Sequence, residues 1–212
     1  MPRSITRRRF LADSSTVALG AAAFGSFGVE AAPSFDLVLK GGTILDGTGA
    51  PAWRVDVGLR GDTIAALGSI APEQARRVVD VAGLHVCPGF IDIHSHSDRS
   101  ILFYPTADSR VRQGITTEVT GNCGSSAAPL PRAGAPERRR RWHEGGIEAE
   151  WGDVASFFAQ LERTGMGVNH ALLLGHGTLR TNAIGIVDRP LTAEELWAVE
   201  RVVEEGMDQG AI

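Results

Sequence analysis

Pro88-Gly89 divides the chain into two stretches with different punctuation, and this break constrains the fold more than any other feature. Before it, short apolar runs at residues 36–40, 43–45, 54–60, 63–67 and 77–81 are separated by Gly41-Gly42, Asp46-Gly47 and Gly61-Asp62. Turn pairs of this kind suit tight hairpins, so residues 33–87 are expected to form a small antiparallel sheet unit. After the break, strand, loop and helix repeat: strands at 90–96, 116–122 and 170–176, helices at 107–113 and 153–163, and a last helix from about 193 to 209. Thr192 and Glu195 stand at capping-box spacing for that last helix. Strands alternating with helices predict an α/β fold with parallel βαβ units.

A complete (β/α)8 TIM barrel takes about 250 residues. Residues 88–212 hold roughly three βα units, so the expectation is the N-terminal portion of such a barrel, truncated as Gly210-Ala211-Ile212 opens a fourth strand. An open parallel sheet of this kind leaves an unpaired edge. A separate chain supplying the remaining strands is one partner that this reading allows.

A net charge of -4 shows no basic excess, which argues against nucleic acid as a partner. Residues 1–32 read as an export signal: Thr6-Arg7-Arg8-Arg9-Phe10-Leu11 precedes an uncharged stretch over 14–29, and Glu30-Ala31-Ala32 follows. The pattern resembles a bacterial twin-arginine signal, implying a periplasmic protein without a stable membrane anchor, since that stretch is too short and too diluted by Gly, Ser and Thr to span a bilayer. Cys87 and Cys123 cannot form a disulfide framework, although one bond between them is open in an oxidising compartment. Cys87, just ahead of the first parallel strand, reads as core.

Chemistry gathers at Asp92-Ile93-His94-Ser95-His96. Strand alternation puts Asp92, His94 and His96 on one face, with both imidazoles near the C-terminal end where (β/α) barrels build their sites. Two histidines at i and i+2 suit zinc, and Asp92 is placed to accept an imidazole N–H and orient the ring. Cys123 ends the next strand at the same end of the sheet, where its thiolate can bind or bridge metal. His176 is expected to end the third strand on the face of Leu172 and Leu174, a candidate for contact with substrate. The run Arg138-Arg139-Arg140-Arg141, in a long loop over 125–150, reads as a solvated charge run, and His143 as solvated with it.

Gly41-Gly42-Thr43-Ile44-Leu45-Asp46-Gly47-Thr48-Gly49-Ala50-Pro51, Pro88 through His96, Gly114-Ile115-Thr116-Thr117, Thr120-Gly121-Asn122-Cys123-Gly124 and Gly175-His176-Gly177-Thr178-Leu179-Arg180 occur in an order that resembles the N-acyl-D-amino-acid deacylases (D-aminoacylases) of the amidohydrolase superfamily. The resemblance runs from about residue 35 to the last residue. It implies a barrel flanked by a β-sandwich over 33–87, one or two zinc ions, and hydrolysis of the amide of small N-acylated D-amino acids. His94, His96 and Cys123 match the family's metal ligands. Two further histidines and a late aspartate that serves as ligand and base would fall beyond Ile212, so no catalytic base is assigned here, and activity of this stretch alone is not expected.

Many superfamily members bridge two metals with a carboxylated lysine. The only lysine here is Lys40, which leaves Cys123 as the bridging candidate. Two other readings compete: a noncatalytic exported metal-binding protein that keeps the cluster, and an amidohydrolase acting on a cyclic amide such as a hydantoin. Cys123 in place of a bridging lysine argues against the latter.

Overall fold

The computed structural model describes residues 33–130 and 136–212, so the expected export signal lies outside the described residues. Seven short strands come first: β1 (Leu37–Lys40), β2 (Thr43–Ile44), β3 (Trp53–Arg54), β4 (Asp56–Arg60), β5 (Thr63–Gly68), β6 (Val78–Asp80) and β7 (His85–Val86). Packing separates two units. One holds the described residues through Thr43 together with Trp53–His85, and the other holds Ile44–Ala52 and Val86–Ile212.

In the first unit the sheet order is β5-β4-β1-β6. β4 pairs antiparallel with both β1 and β5, as the hairpin signals require. β6 pairs parallel with β1, Val38 facing Val78, so the sheet is mixed where an antiparallel one was expected. The reason is the connection after β5, which passes through the 3-10 turn Pro72–Gln74 and brings the chain to the far edge of β1. Buried Asp56 fastens this unit, accepting the N–H of Gly41 (2.8 Å) and of Ile70 (2.9 Å) and the ammonium of Lys40 (2.7 Å). Those bonds, Ile70's N–H foremost and then Lys40, hold its carboxyl at a pKa of about 2 despite burial. Lys40 also donates to the carbonyl of Ile70, so the single lysine has a structural occupation.

The second unit contains three parallel strands in the order β10-β9-β8: β8 (Phe90–Asp92), β9 (Ile115–Thr120) and β10 (Asn169–Leu172). Its helices are α1 (Asp108–Val111), α2 (Pro136–Glu144), α3 (Val154–Thr164), α4 (His176–Ile184) and α5 (Ala193–Asp208). The apolar face of α3 supplies Val154, Phe157 and Leu161 to a core shared with Leu130, Trp151 and Leu172. Full burial of each such side chain stabilises by about 1.5–3 kcal/mol. Phe103, Trp142, Trp151 and Phe157 continue this core as a chain of ring contacts at 5.3–5.4 Å.

Caps explain where the helices begin. Asp153 accepts the N–H of Ser156, and Gln209, just past α5, accepts the N–H groups of Val154 and Ala155, so three of the orphan donors of α3 are satisfied. Thr192 and Glu195 form the predicted reciprocal cap of α5.

Four expectations shift. The strand expected over 90–96 stops at Asp92, whose carboxylate accepts the N–H of His94 in place of a ladder partner. The strand expected over 170–176 ends at Leu172, because Gly175 caps a new helix and His176 becomes its first residue. The helix expected over 107–113 is a single turn, preceded by Ala107 in the left-handed region (φ 47°). The supposed loop over 125–150 contains α2, which starts at a proline suited to a first helical position and carries an Arg140–Glu144 pair one turn apart.

The face of β8 opposite the histidines is uncovered. Ile91 and Ile93 are 61% and 74% exposed, and the N–H of Ile212 already bonds the carbonyl of Leu172 on the far edge. Among the described residues no helix is long and apolar enough to cross a membrane.

Candidate metal centre

The three parallel strands bring their C-terminal ends together, and the segments leaving them carry the candidate ligands. His94 and His96 follow β8, and Cys123 sits in the 3-10 turn Asn122–Gly124 after β9. One ligand atom from each lies within 4.8 Å of the other two. His94 Nε2 stands 3.3 Å from Cys123 Sγ, and the two imidazole rings meet edge to face at 5.6 Å.

This spacing suits one ion. Two donors at normal Zn–N and Zn–S bond lengths in a tetrahedral arrangement lie about 3.5 Å apart. Two imidazoles and a thiolate are also a donor set that favours zinc over calcium or magnesium. All three side chains are exposed.

Backbone geometry aims the cysteine. Cys123 is held in the left-handed region (φ 53°), rare for a residue with a side chain and costing on the order of 1–2 kcal/mol. Gly121 ahead of it takes φ 86° and lies so close to β10 that a Cβ would fall 1.9 Å from the carbonyl oxygen of Leu173. A Cβ on Gly175 would likewise fall 2.7 Å from the backbone of Gly124. The two glycine-bearing motifs are thus halves of one close backbone contact.

Side chains hold the same loop from both sides. Thr178 of α4 accepts the N–H of Ser126, Asp98 accepts the N–H of Ala127, and Arg99 donates to Ser125 at 2.6 Å. Asp98 is fully buried, and burial raises its carboxyl pKa above the usual value.

The other sequence candidates fall as follows. Asp92 accepts the backbone N–H of His94 at 3.1 Å, so its observed partner is main chain. His176 is exposed at the start of α4, beside the Cys123 loop but outside the three-residue cluster. His143 is exposed and pairs with Glu148 at 2.7 Å. Cys87, expected in the core, is an exposed free thiol, as is Cys123. In the arginine run, Arg139 is half-buried and donates to the carbonyls of Leu130, Ala149 and Trp151, closing the base of the loop that a solvated run would have left open.

Sequence reasoning missed Ser95, Glu118 and Asn122. Glu118 is fully buried in β9 and accepts from Ser95, the residue between the two histidines, while Asn122 donates to Ser95's carbonyl. An acid in a run of β-branched residues was the available signal.

The chain is similar to known proteins over most of its length. The chain is 43% identical to a D-aminoacylase of Alcaligenes xylosoxydans xylosoxydans over 178 residues, 84% of this chain and 37% of the relative. A solved D-aminoacylase with a binuclear metal centre superposes with a TM-score of 0.74 at 42% identity, over 84% of this chain and 37% of that one. The N-acyl-D-glutamate deacylase of Bordetella bronchiseptica, solved with zinc and a phosphonate mimic of the tetrahedral intermediate, gives a TM-score of 0.75 at 38% identity with the same coverage. The chain therefore spans little more than a third of the length of these relatives. Residues 77–211, which include His94, His96 and Cys123, match the amidohydrolase family, and on that match this chain belongs to the amidohydrolase family.

Proposed function

We propose that this chain forms the zinc-binding part of a hydrolase that cleaves the amide bond of N-acyl-D-amino acids. The observation that carries the reading is the convergence of His94, His96 and Cys123 within 4.8 Å, in a chain similar over 84% of its length to D-aminoacylase and N-acyl-D-glutamate deacylase. Completion of a (β/α)8 barrel by strands beyond β10 is part of this proposal, supported by the uncovered Ile91 and Ile93 and by the ladder bond of Ile212. So is a β-sandwich completed on the first unit, and so is export by the twin-arginine route.

The chain's own residues divide the work. His94, His96 and Cys123 would hold the ion. A zinc ion there would supply Lewis acidity to the substrate's carbonyl and lower the pKa of a water. Glycines in the turns at 121–124 and 175–177 let these two backbones pack closely beside Cys123. Proton transfer to the leaving amine and stabilisation of the developing oxyanion fall to residues beyond this stretch.

Zinc stoichiometry of the purified chain, followed by release of free amino acid from N-acetyl-D- and N-acetyl-L-amino acids by the polypeptide that completes the barrel, tests the proposal. Tightly bound zinc and release from the D series alone are expected. Zinc-free protein, or release from L substrates alone, would refute it.

A further inference from the structure

We infer that Glu118 and Asn122 are positioning residues for the metal centre, acting through Ser95, the residue between the two ligand histidines; the inference rests on the zinc reading above. The regular β8 ladder stops at Asp92, so it does not fix the backbone that carries His94 and His96. Ser95 does. It is 2% exposed and takes part in four hydrogen bonds. Its N–H donates to Val119 (3.0 Å), its hydroxyl donates to Glu118 (2.8 Å) and accepts the N–H of Ser97 (3.1 Å), and its carbonyl accepts the Asn122 amide (3.3 Å).

Glu118 is an expensive residue for this place. A fully buried carboxylate needs a charge partner and hydrogen bonds, and an apolar residue often stabilises as well or better. Its Oε1 receives the Arg110 guanidinium at 2.8 Å from one side and the Ser95 hydroxyl at 2.8 Å from the other. That pair ties the His-x-His segment to α1 and to the middle of β9. Asn122 ties the same segment to the cysteine turn: its amide also donates to Val119 at 2.9 Å, and the next residue is Cys123. Rotation at Ser95 would swing both imidazoles, and loss of the Asn122 bridge would uncouple them from the thiol. The three ligands are therefore set in register before an ion arrives, by bonds that do not involve the ligands' own donor atoms.

The test compares the full chain with Ser95→Ala, Ser95→Thr and Asn122→Ala. Zinc affinity is read by competition with a chromophoric chelator, the thiolate-to-cobalt absorption band by titration with Co²⁺, and apo stability by thermal melting. Ser95→Ala and Asn122→Ala are expected to weaken zinc binding about 10- to 100-fold and to shift the cobalt band, with Ser95→Thr, which keeps the hydroxyl, returning toward the parent. Variants that melt earlier yet keep the parent's affinity and cobalt spectrum would reduce Ser95 and Asn122 to structural roles and overturn the inference. Should Ser95→Ala not fold, Asn122→Ala on its partly exposed turn decides the question alone. A parent chain that binds no zinc overturns the metal reading and this inference together, whereas a binding parent with unaltered variants overturns this inference only.

Discussion

Gly121 lies directly against Leu173: a Cβ at that position would sit 1.9 Å from the Leu173 carbonyl oxygen. The Leu173 N–H in turn donates to the carbonyl of Thr120 at 2.8 Å, so the chain after β9 reverses while in contact with the end of β10. This close approach brings the turn that follows, and with it the thiol of Cys123, to within 3.3 Å of His94. The geometry of the three-residue cluster is thus set by a backbone contact as much as by its side chains.

Gly121→Ala should be among the most damaging small substitutions in the second unit. Gly146 provides the control, since it has a similar positive φ of 80° with nothing within 4 Å of its would-be Cβ. Gly146→Ala is expected to cost roughly 1 kcal/mol for its backbone alone. Gly121→Ala adds a clash with main-chain atoms that cannot rotate away, and should exceed that by at least about 1–2 kcal/mol in denaturant titration. Equal losses would remove the contact with Leu173 as the cause.

Asp56 makes the first unit acid-sensitive. Its folded pKa is about 2 against an ordinary 3.8, so as pH falls the unfolded chain takes the proton first. The contribution is fully present above about pH 4 and is lost as pH falls through about 2. Asp56→Asn should cost on the order of 2 kcal/mol at neutral pH and flatten the acid limb of the stability curve. Melting from pH 5 to pH 2, parent against variant, checks both, and parallel curves would mean that Asp56 is not the source.

What the sequence made legible follows from the range of the signals. Alternation of short apolar runs with capped helices is local, and α3, α5, β9 and the antiparallel pairing of β4 with β1 and β5 appear where that pattern puts them. The His94, His96 and Cys123 cluster was legible because both strands end on the same side of a parallel sheet. The first parallel strand was drawn too long because alternation assumes that it runs unbroken to His96, whereas its regular pairing stops at Asp92, whose carboxylate accepts the His94 N–H. The third strand was drawn through to His176 because Gly175 can as well cap a helix as sit in a strand. Glu118 was invisible for a different reason, since its partners Ser95 and Arg110 are set only by the packing of β8 and α1 on β9.

His170 should give the second unit its own pH dependence. Burial, partly opposed by the charge of Glu118, lowers its pKa from 6.5 to about 4, and its Nε2 lies 2.8 Å from the Thr120 hydroxyl. Above pH 6.5 both states are neutral there and the contribution is intact. Below it the unfolded chain binds a proton that the folded chain refuses, so stability is lost as pH falls from 6.5 to about 4. His170→Phe, packed against Phe157, should lose about 1 kcal/mol at pH 7 and show a flatter curve over that window. A variant curve that tracks the parent's would assign the dependence to another group.

The two exposed thiols make the proposed metal site directly readable. Cys87 and Cys123 are both free, but among the described residues Cys123 alone belongs to a cluster of three potential ligands, so an ion bound there would withdraw one thiol from reaction and leave the other as an internal reference. In the apo chain an alkylating reagent should modify both cysteines. With stoichiometric zinc, Cys87 should react as before while Cys123 is protected, and peptide mapping distinguishes them. His94→Ala/His96→Ala should abolish protection without changing the reactivity of Cys87, because the loss lies in the ion's remaining ligands and the thiol itself is untouched. Cys123→Ser should lower zinc affinity by at least about 100-fold, a larger loss than removal of a residue that only orients a ligand, since a hydroxyl stays protonated where a thiolate binds. Protection of Cys123 that survives in the double-histidine variant would mean that zinc is held by other groups, and the three-residue site would have to be abandoned.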